Sequence, residues 1–541
     1  MKIKTYTKTL LSLFLAIMIM ISVFSAELSV QAAETDKIIS NDIKSGTIGE
    51  CEWEYNSALS SMVISGIGSM ETKTSASEYP WYGLDIKSLT IQEGVTSISA
   101  YAFEKINITS LQLPKSLTTI QNYAFSGCAF LESIEIPESV ISLGESVFSD
   151  CAALKSAVLP DKLTAIPDGF FSSCVSLESI NISSTVTKIG NAAFYDCESL
   201  KSVVIPSSVK TIERSAFRLC DKLASITFPS ALYDIKPGAL SDTAWLNNKP
   251  AGVVYINNMA YTYNGSPASV TIKKNTSKIC AEAFDGCTSI KTLTIKSGVK
   301  EIEDLAFYNC PNLSSVSIPD TVKTIGVEAF SENTSLKKLT IPSSVTSIGS
   351  HAYGYTFYYD SNTDVEEYRR ISGSKIYGAI GSQAFKYAFD SSVVNKYGIA
   401  FHTNMYIKKT AKIKGTFQEN TKLTYNSSNK NIASVSSAGK VTAVKKGTAT
   451  ITVSQNGKSW SFKVHVKKPK LNASKKTLKK GKTFKLKITG QIGKAKFSSS
   501  NKKVASVTKK GKIKAKKKGK ATITVQTNGI KLKCKVTVKK K

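Results

Sequence analysis

The residues of this chain best suited to chemistry are its ten cysteines, seven of which recur at one position of an internal repeat. Thiols can form disulfides, bind zinc or pack as small apolar side chains. Neighbours in such a repeat would stack with parallel side chains, which is poor disulfide geometry, and the chain has no Cys-x-x-Cys pair for zinc. We therefore expect a buried column of free thiols at Cys128, Cys151, Cys174, Cys197, Cys220, Cys287 and Cys310.

The three histidines do not form a catalytic or metal-binding pattern. His351, His402 and His465 are far apart in the sequence, and none has a nucleophile or a second metal ligand at motif spacing. Glycoside hydrolysis needs only two carboxylates, so a wall-active hydrolase stays open as an alternative. The prediction is a chain that is not an enzyme and uses no cofactor or metal.

The N-terminus indicates where the chain acts. Lys2, Lys4 and Lys8 precede an apolar run from Leu10 to Phe24, and small residues follow up to Ala33. This is the pattern of a secretory signal peptide, and the run is short of the roughly 20 residues that a membrane span needs. We expect a secreted, cell-wall-associated protein with no transmembrane anchor in its mature form.

The positive charge is confined to the C-terminal quarter. The net charge of the whole chain is +32; residues 1–400 carry −6 and residues 401–541 carry +38, with Glu419 as their single acid. A positive electrostatic potential of this size favours polyanionic partners, and for this chain we expect anionic cell-wall polymers. Nucleic acid is not expected, since the chain is exported and no aromatics alternate with the lysines. The candidate envelope-binding residues are Lys512, Lys514, Lys516, Lys517, Lys518 and Lys520.

Two irregular regions carry aromatic residues that could bind a ligand. The stretch from Trp245 to Gly265 is predicted to add a hairpin-like turn, and the other region runs from Tyr353 to Tyr377. Protruding aromatic side chains can anchor a partner, or they can simply cover one end of the repeats. The candidate ligand-binding residues are Tyr355, Phe357, Tyr358, Tyr359 and Trp245.

The elements that must position these residues repeat every 23 residues. Each unit carries Leu-x-x-Val-x-Ile, as at Leu200, Val203 and Ile205, and in most units a proline then ends the strand. A period of this length is typical of a leucine-rich solenoid. No coil buries its apolar residues alone, so the coils must stack about 4.8 Å apart. The period is marked by Phe125, Phe148, Phe171, Phe194 and Phe217.

The period is interrupted once, and the strands present a polar face. Between Phe217 and Phe284 lies an insertion, with Leu240 at the missing phenylalanine position. The third residue of the strand motif, which should face solvent, is nearly always a hydroxyl, as at Ser133 and Ser156. Such a face could take an extended polymer or a protein surface, or serve only for solubility.

The lysine-rich tail is a tandem repeat. Residues 427–453 and 499–525 match at an offset of 72, with alternating apolar residues typical of β-strands. Glycines at equivalent positions, such as Gly439 and Gly511, mark turns. The pair resembles bacterial immunoglobulin-like (group 2) domains, which implies two small β-sandwiches.

The repeat array resembles the BspA-type leucine-rich repeats of bacterial surface proteins. The resemblance covers roughly residues 45–402 and rests on the unit IGxxAFxxCxxLxxVxIP, on the segment that ends in Pro80-Trp81-Tyr82, and on a closing segment after Gly381. Members of that family are typically displayed on the surface, and several are implicated in adhesion to host proteins or cells. The resemblance implies recognition of a host or neighbouring-cell protein or glycan.

Together these features predict a mostly β chain with short helical or 3-10 turns: a leucine-rich-repeat solenoid followed by two small immunoglobulin-like β-sandwiches. Its predicted role is that of an adhesin, which recognises a protein or glycan through the solenoid and is held on the anionic envelope by the lysine-rich immunoglobulin-like domains. A structural envelope protein without a specific ligand is the alternative. The predicted segments are a signal peptide at 1–33, a capping region with the first repeat at 34–100, the solenoid at 101–402 (insertion near 245–265, cap at 353–402), and immunoglobulin-like domains at 403–468 and 469–541.

Overall fold

The computed structural model describes residues 43–361, 364–394, 399–413, 423–455 and 458–540. The predicted signal peptide, residues 1–33, lies outside these ranges. The chain divides after Lys249 into two compact units, and each is described by itself. Among the described residues, no helix has the length and apolar character required to cross a bilayer.

The first unit opens with an antiparallel meander that continues into the repeats. Cys51, Trp53 and Tyr55 alternate with exposed residues along the middle strand, so one face of the meander is buried. The third strand then pairs in parallel with the first repeat strand. A 3-10 helix, Ala76–Glu78, follows. The opening strands are β1 (Ile43–Ile48), β2 (Cys51–Asn56), β3 (Ser61–Gly66) and β4 (Gly68–Ser69).

Most repeats of the first unit contribute a solvent-facing strand and a second strand, whereas the coil around Ile180 contributes only the second strand. Successive coils pair in parallel at a shift of 23 residues, for example Ser133 with Ser156 and Ile189 with Ile212. The bounds are β5 (Ser88–Ile91), β6 (Val95–Ile98), β7 (Ser110–Gln112), β8 (Thr119–Ile120), β9 (Ser133–Glu135), β10 (Ser142–Leu143), β11 (Ser156–Val158), β12 (Ala165–Ile166), β13 (Lys188–Ile189), β14 (Ser202–Val204), β15 (Thr211–Ile212), β16 (Ser225–Thr227), β17 (Asp234–Ile235) and helix α1 (Ala244–Asn247).

The repeat phenylalanines form a buried stack, as predicted. Phe103, Phe125 and Phe148 are fully buried, and their ring centroids follow one another at 5.5 Å with nearly parallel planes. The stack continues to Phe217, and Leu240 is likewise buried at the next phenylalanine position. Each ring covers its neighbour, which is why a single coil could not be stable alone.

Within each unit, the repeat cysteines are free thiols at equivalent positions of successive coils, as predicted: Cys128 to Cys220 in the first unit, and Cys287 and Cys310 in the second. Each buried thiol donates a hydrogen bond to the carbonyl of a phenylalanine in an adjacent coil, for example Cys174 to Phe148 at 3.1 Å and Cys310 to Phe284 at 3.1 Å. Burial raises the pKa of Cys174 well above that of a free thiol. Cys287 is the partly exposed member of the column.

The second unit begins with a hairpin and continues with further coils. The hairpin β18–β19 confirms the extra turn predicted for the insertion. Tyr263 then starts a second aromatic stack that includes Phe284, Phe307 and Phe330. The bounds are β18 (Gly252–Ile256), β19 (Met259–Asn264), β20 (Ser269–Ile272), β21 (Lys278–Ile279), β22 (Thr292–Ile295), β23 (Glu301–Ile302), β24 (Ser315–Ser317), β25 (Thr324–Ile325), β26 (Lys338–Thr340) and β27 (Ser347–Ile348).

The last coils carry a protruding hairpin and a helix. Hairpin β28–β29 leaves the array, and β30 returns to pair with β26. The helix buries Ala384, Phe385 and Ala388 against the closing coil. The bounds are β28 (Tyr355–Asp360), β29 (Val365–Arg370), β30 (Lys375–Tyr377), α2 (Gln383–Val394) and β31 (Ala400–Tyr406).

Two β-sandwiches follow, and their strands recur at the predicted offset of 72. In the first, Phe462 and Val464 share a core with the last coils, whereas the second has a separate core around Ile513 and Ile523. The bounds are β32 (Thr410–Lys412), β33 (Thr424–Ser427), β34 (Ala433–Val435), β35 (Lys440–Ala443), β36 (Gly447–Gln455), β37 (Lys458–Lys467), β38 (Lys470–Leu471), β39 (Lys475–Lys479), β40 (Thr483–Lys485), β41 (Ile488–Thr489), β42 (Lys496–Ser499), β43 (Ala505–Val507), β44 (Lys512–Ala515), β45 (Gly519–Thr527) and β46 (Ile530–Lys539).

The boundary predicted between residues 402 and 403 is wrong, because it falls inside β31. This strand pairs in parallel with β30 of the last coil on one side and with β37 of the first sandwich on the other. One six-stranded sheet, in the order β26-β30-β31-β37-β36-β33, therefore runs from the repeats into the sandwich.

Candidate functional site

The hairpin β28–β29 presents three consecutive aromatic side chains to solvent. Phe357, Tyr358 and Tyr359 are 40%, 37% and 51% exposed. Consecutive side chains of a strand point to opposite faces, so these rings are available on both faces of the hairpin. Large exposed rings that lie together are a common feature of binding surfaces.

Charged groups hold the rings of the hairpin in place. The guanidinium carbon of Arg369 lies 3.3 Å from the centroid of the Tyr358 ring, which is a close cation–π contact. Arg369 also pairs with the Glu367 carboxylate, and the Tyr359 hydroxyl donates to Asp364 at 3.0 Å. These contacts order Tyr358 and Tyr359 on the hairpin, and an ordered surface has a lower entropy cost of binding.

Two carboxylates fix the hairpin to the coils beneath it. The backbone N–H of Phe357 donates to Glu332, and the Tyr368 hydroxyl donates to Glu328. The ring of His351 stacks on Tyr368 with centroids 3.7 Å apart. Burial lowers the pKa of His351 below its ordinary value, so this histidine is neutral at pH 7. The base of the hairpin is thus a rigid, partly buried support.

The strand face of the first unit carries exposed serines together with exposed valines, Val158 (56% exposed) and Val204 (67% exposed). Ser133, Ser156 and Ser202 are exposed, as predicted. Beside them, carboxylates and ammonium groups alternate from coil to coil, in pairs that meet at 2.8 and 2.7 Å: Glu132 with Lys155, and Glu178 with Lys201. The charges cancel within each of these two pairs.

The second sandwich has a surface of exposed lysines whose positive charge is not balanced by carboxylates. Along β44, Lys512 and Lys514 are exposed while Ile513 and Ala515 are buried, as the alternation of a strand requires. No carboxylate lies among residues 423–455 or 458–540. The six predicted envelope-binding lysines are all exposed: Lys512, Lys514, Lys516, Lys517, Lys518 and Lys520.

The repeats of this chain match a known family. The sequence profile described as BspA type leucine rich repeat region matches in six copies, over residues 74–201, 187–261 and 254–388. The chain belongs to this family. The profile described as bacterial Ig-like domain (group 2) matches residues 408–464 and 465–538. The BspA-type solenoid and the paired sandwiches predicted from the sequence are thus confirmed.

Solved structures similar to this BspA-type chain come from bacteria. A leucine-rich repeat protein from Bacteroides ovatus is 23% identical, with a TM-score of 0.37, over 63% of this chain and 88% of that one. A leucine rich cell surface protein from Faecalibacterium prausnitzii is 23% identical, with a TM-score of 0.31, over 62% and 88%. The pneumococcal vaccine antigen PcpA is 17% identical, with a TM-score of 0.29, over 67% and 93%. No curated protein matches the chain.

The predicted ligand-binding residues do not form one surface on the BspA-type repeats. Phe357, Tyr358 and Tyr359 lie together on the hairpin, but Tyr355 is only 1% exposed, so the prediction that it protrudes is wrong. It packs in the core of the second unit, with its ring against His351. Trp245 lies in the first unit, half-buried, with its ring against Phe228 and Lys249.

Several residues of the site were not anticipated from the sequence. Arg369, Glu328 and Glu332 orient the hairpin, yet none belongs to a recognisable motif. The available signal was the aromatic-rich run Tyr355–Tyr359, followed a few residues later by the charged run Glu366–Arg370, which could pair as neighbouring strands. Within the described ranges, no group of three or more His, Cys, Asp or Glu side chains is placed to hold a metal ion.

Proposed function

We propose that this BspA-type chain is a bacterial cell-surface binding protein that recognises a protein or glycan partner through the aromatic hairpin β28–β29. The observation that carries the proposal is the set of exposed rings of Phe357, Tyr358 and Tyr359 on a support fixed by Glu328 and Glu332. Rigid, exposed aromatics supply contact area at small entropic cost.

We further propose that the lysine surface of the second sandwich retains the protein on the anionic envelope. The support is a surface of exposed lysines without carboxylates to neutralise it, which favours polyanions such as wall polymers. Both matched families are repeat and immunoglobulin-like modules of a kind that typically binds or supports rather than catalyses. Secretion and a location on the cell wall are part of this proposal.

The recognition half of the proposal is tested on arrays of matrix proteins and glycans. The mature chain should bind at least one component, and the triple variant Phe357→Ser, Tyr358→Ser, Tyr359→Ser should lose that binding. The matched control is Tyr233→Ser, which removes an aromatic side chain that is 62% exposed in the first unit. Equal binding by the triple variant would show that the hairpin is not the recognition surface.

The retention half is tested by the salt concentration that releases the protein from isolated cell walls. Changing Lys512, Lys514, Lys516, Lys517, Lys518 and Lys520 to Gln removes six positive charges and should lower that concentration, because the contacts are ionic. Changing the same residues to Arg keeps the charge and should leave it unaltered. Retention of the Gln variant at unchanged salt would contradict an electrostatic anchor.

A further inference from the structure

A cavity of about 540 Å³ lies near the N-terminal end of the first unit, remote in sequence from the aromatic hairpin. The cavity is lined by Ser75–Ser77, Trp81–Asp85, Ala102 and Glu104–Asn107. Cavities of roughly 300–1,000 Å³ are the size that holds a small ligand. The cavity is not part of the surfaces described above.

Trp81, one of the lining residues, is held in place by its contacts. The Trp81 indole is 1% exposed and donates its Nε1–H to the Ala102 carbonyl at 2.6 Å. Its ring lies between Tyr79, at 5.1 Å, and Phe103, at 5.5 Å. The backbone on either side of Trp81 is thus tied to the aromatic stack of the repeats. A site built on such a support keeps its geometry when empty.

One aromatic ring at the cavity is exposed to solvent. Tyr82 is 63% exposed although its neighbour Trp81 is buried. Its backbone N–H donates to the Tyr79 carbonyl at 3.0 Å, which fixes the turn that carries it. Beside it, Gly83 has a φ of +79° and open space where a side chain would stand. A flat molecule can therefore approach the ring.

The remaining lining mixes apolar side chains, such as Leu84 and Ile106, with polar groups, and it carries little net charge. The Asp85 carboxylate pairs with Lys87 at 2.7 Å, and the Glu104 carboxylate pairs with Lys105 at 2.8 Å. A strongly charged ligand would find no uncompensated charge here, and an apolar ligand would leave these groups without water. A neutral molecule with many hydroxyl groups satisfies both conditions, since carboxylates accept hydrogen bonds from hydroxyls.

We propose that this cavity binds a short neutral oligosaccharide. The C–H face of one sugar ring stacks on Tyr82, and its hydroxyls bond to Asp85, Glu104 and Asn107, which line the cavity. The proposal assigns a carbohydrate site to the first unit and does not depend on the aromatic hairpin or on the lysine surface.

The test is saturation-transfer NMR and calorimetry on the mature full-length chain with cellotetraose, maltotriose, N-acetylglucosamine trimer and a galacturonic acid trimer. At least one neutral sugar should bind, and Tyr82→Ala should weaken it by at least about tenfold, as expected for loss of an aromatic anchor. Tyr82→Phe, which keeps the ring, should bind like the parent protein. Tyr233→Ser, outside the cavity, should also leave binding unchanged.

The outcomes separate this proposal from the function proposed above. No binding of any neutral sugar, binding of the acidic sugar alone, or equal binding by Tyr82→Ala would each overturn the carbohydrate site. The triple hairpin variant should bind the sugar normally while losing its array partner. Loss of sugar binding in that variant would likewise contradict a separate site.

Discussion

The imidazole rings of His402 and His465 are hydrogen-bonded to each other, with Nδ1 of the first 2.9 Å from Nε2 of the second. The two residues lie on β31 and β37, the strands that join the repeats to the first sandwich. His465 Nδ1 is also 2.9 Å from the Thr448 hydroxyl. Burial, then the neighbouring His465, Lys375 and Lys463, lowers the pKa of His402 to about 4.

Because the pKa of His402 is lower in the folded protein than in the unfolded chain, the unfolded chain binds more protons in acid. The stability that the neutral pair provides is present above about pH 6.5 and should be lost as the pH falls towards 4, with a total effect of about 3 kcal/mol. Urea unfolding at pH 7.5 and 4.5 measures it. His402→Gln with His465→Gln should reduce this pH dependence; an unchanged dependence would assign it to other groups.

The cysteine column should give a single reactive thiol in the native state. Cys287 is half-buried, and a hydrogen bond from Cys310 lowers its pKa, whereas the other nine cysteines are buried. Exposed thiolates react fastest. Brief treatment with iodoacetamide followed by mass spectrometry should label Cys287, and Cys287→Ser should abolish native labelling. Rapid labelling of Cys174 would mean that the column is open to solvent.

Asn333, which stands where other coils have a cysteine, should contribute more to stability than a cysteine at that position would. It occupies the thiol position of its coil, fully buried, and makes two hydrogen bonds: its amide donates to the Phe307 carbonyl at 2.8 Å and its oxygen accepts from the Cys310 N–H at 2.8 Å. Asn333→Leu should destabilise the protein by about 2–4 kcal/mol, since buried groups lose their partners. Asn333→Cys, which restores the repeat residue and one donor, should cost less in urea unfolding. Equal losses of unfolding free energy in the two variants would contradict this prediction.

Glu332 should control the order of the aromatic hairpin without controlling the fold. Its carboxylate accepts the Phe357 N–H. Glu332→Ala should increase hydrogen exchange across β28 and weaken binding of the array partner, while the melting temperature changes little. Glu332→Gln keeps an acceptor and should behave like the parent chain. Unaltered exchange in the Ala variant would show that the hairpin is held by other contacts.

The periodic features of this fold could be predicted from the sequence, because the same residue types recur at the same position of successive coils. Phe148 and Cys174 have equivalents 23 residues away, and both were placed correctly. Tyr355 has no such equivalent, so nothing local distinguished its buried ring from the exposed ring of Phe357. The contact between His402 and His465 spans 63 residues and depends on the parallel pairing of β31 with β37, which has no local signal.

That shared sheet also determines how the protein can carry a mechanical load. The chain enters β31 from the repeats and leaves β37 towards the second sandwich, and the two strands run parallel through five residue pairs. Under the function proposed above, a pull between a partner bound to the repeats and a cell wall bound to the C-terminal lysines would act along these two strands, in opposite directions. The hydrogen bonds between the two strands are then loaded in shear all together, and they do not break one after another. Attachment in flowing liquid is the condition in which such a joint matters.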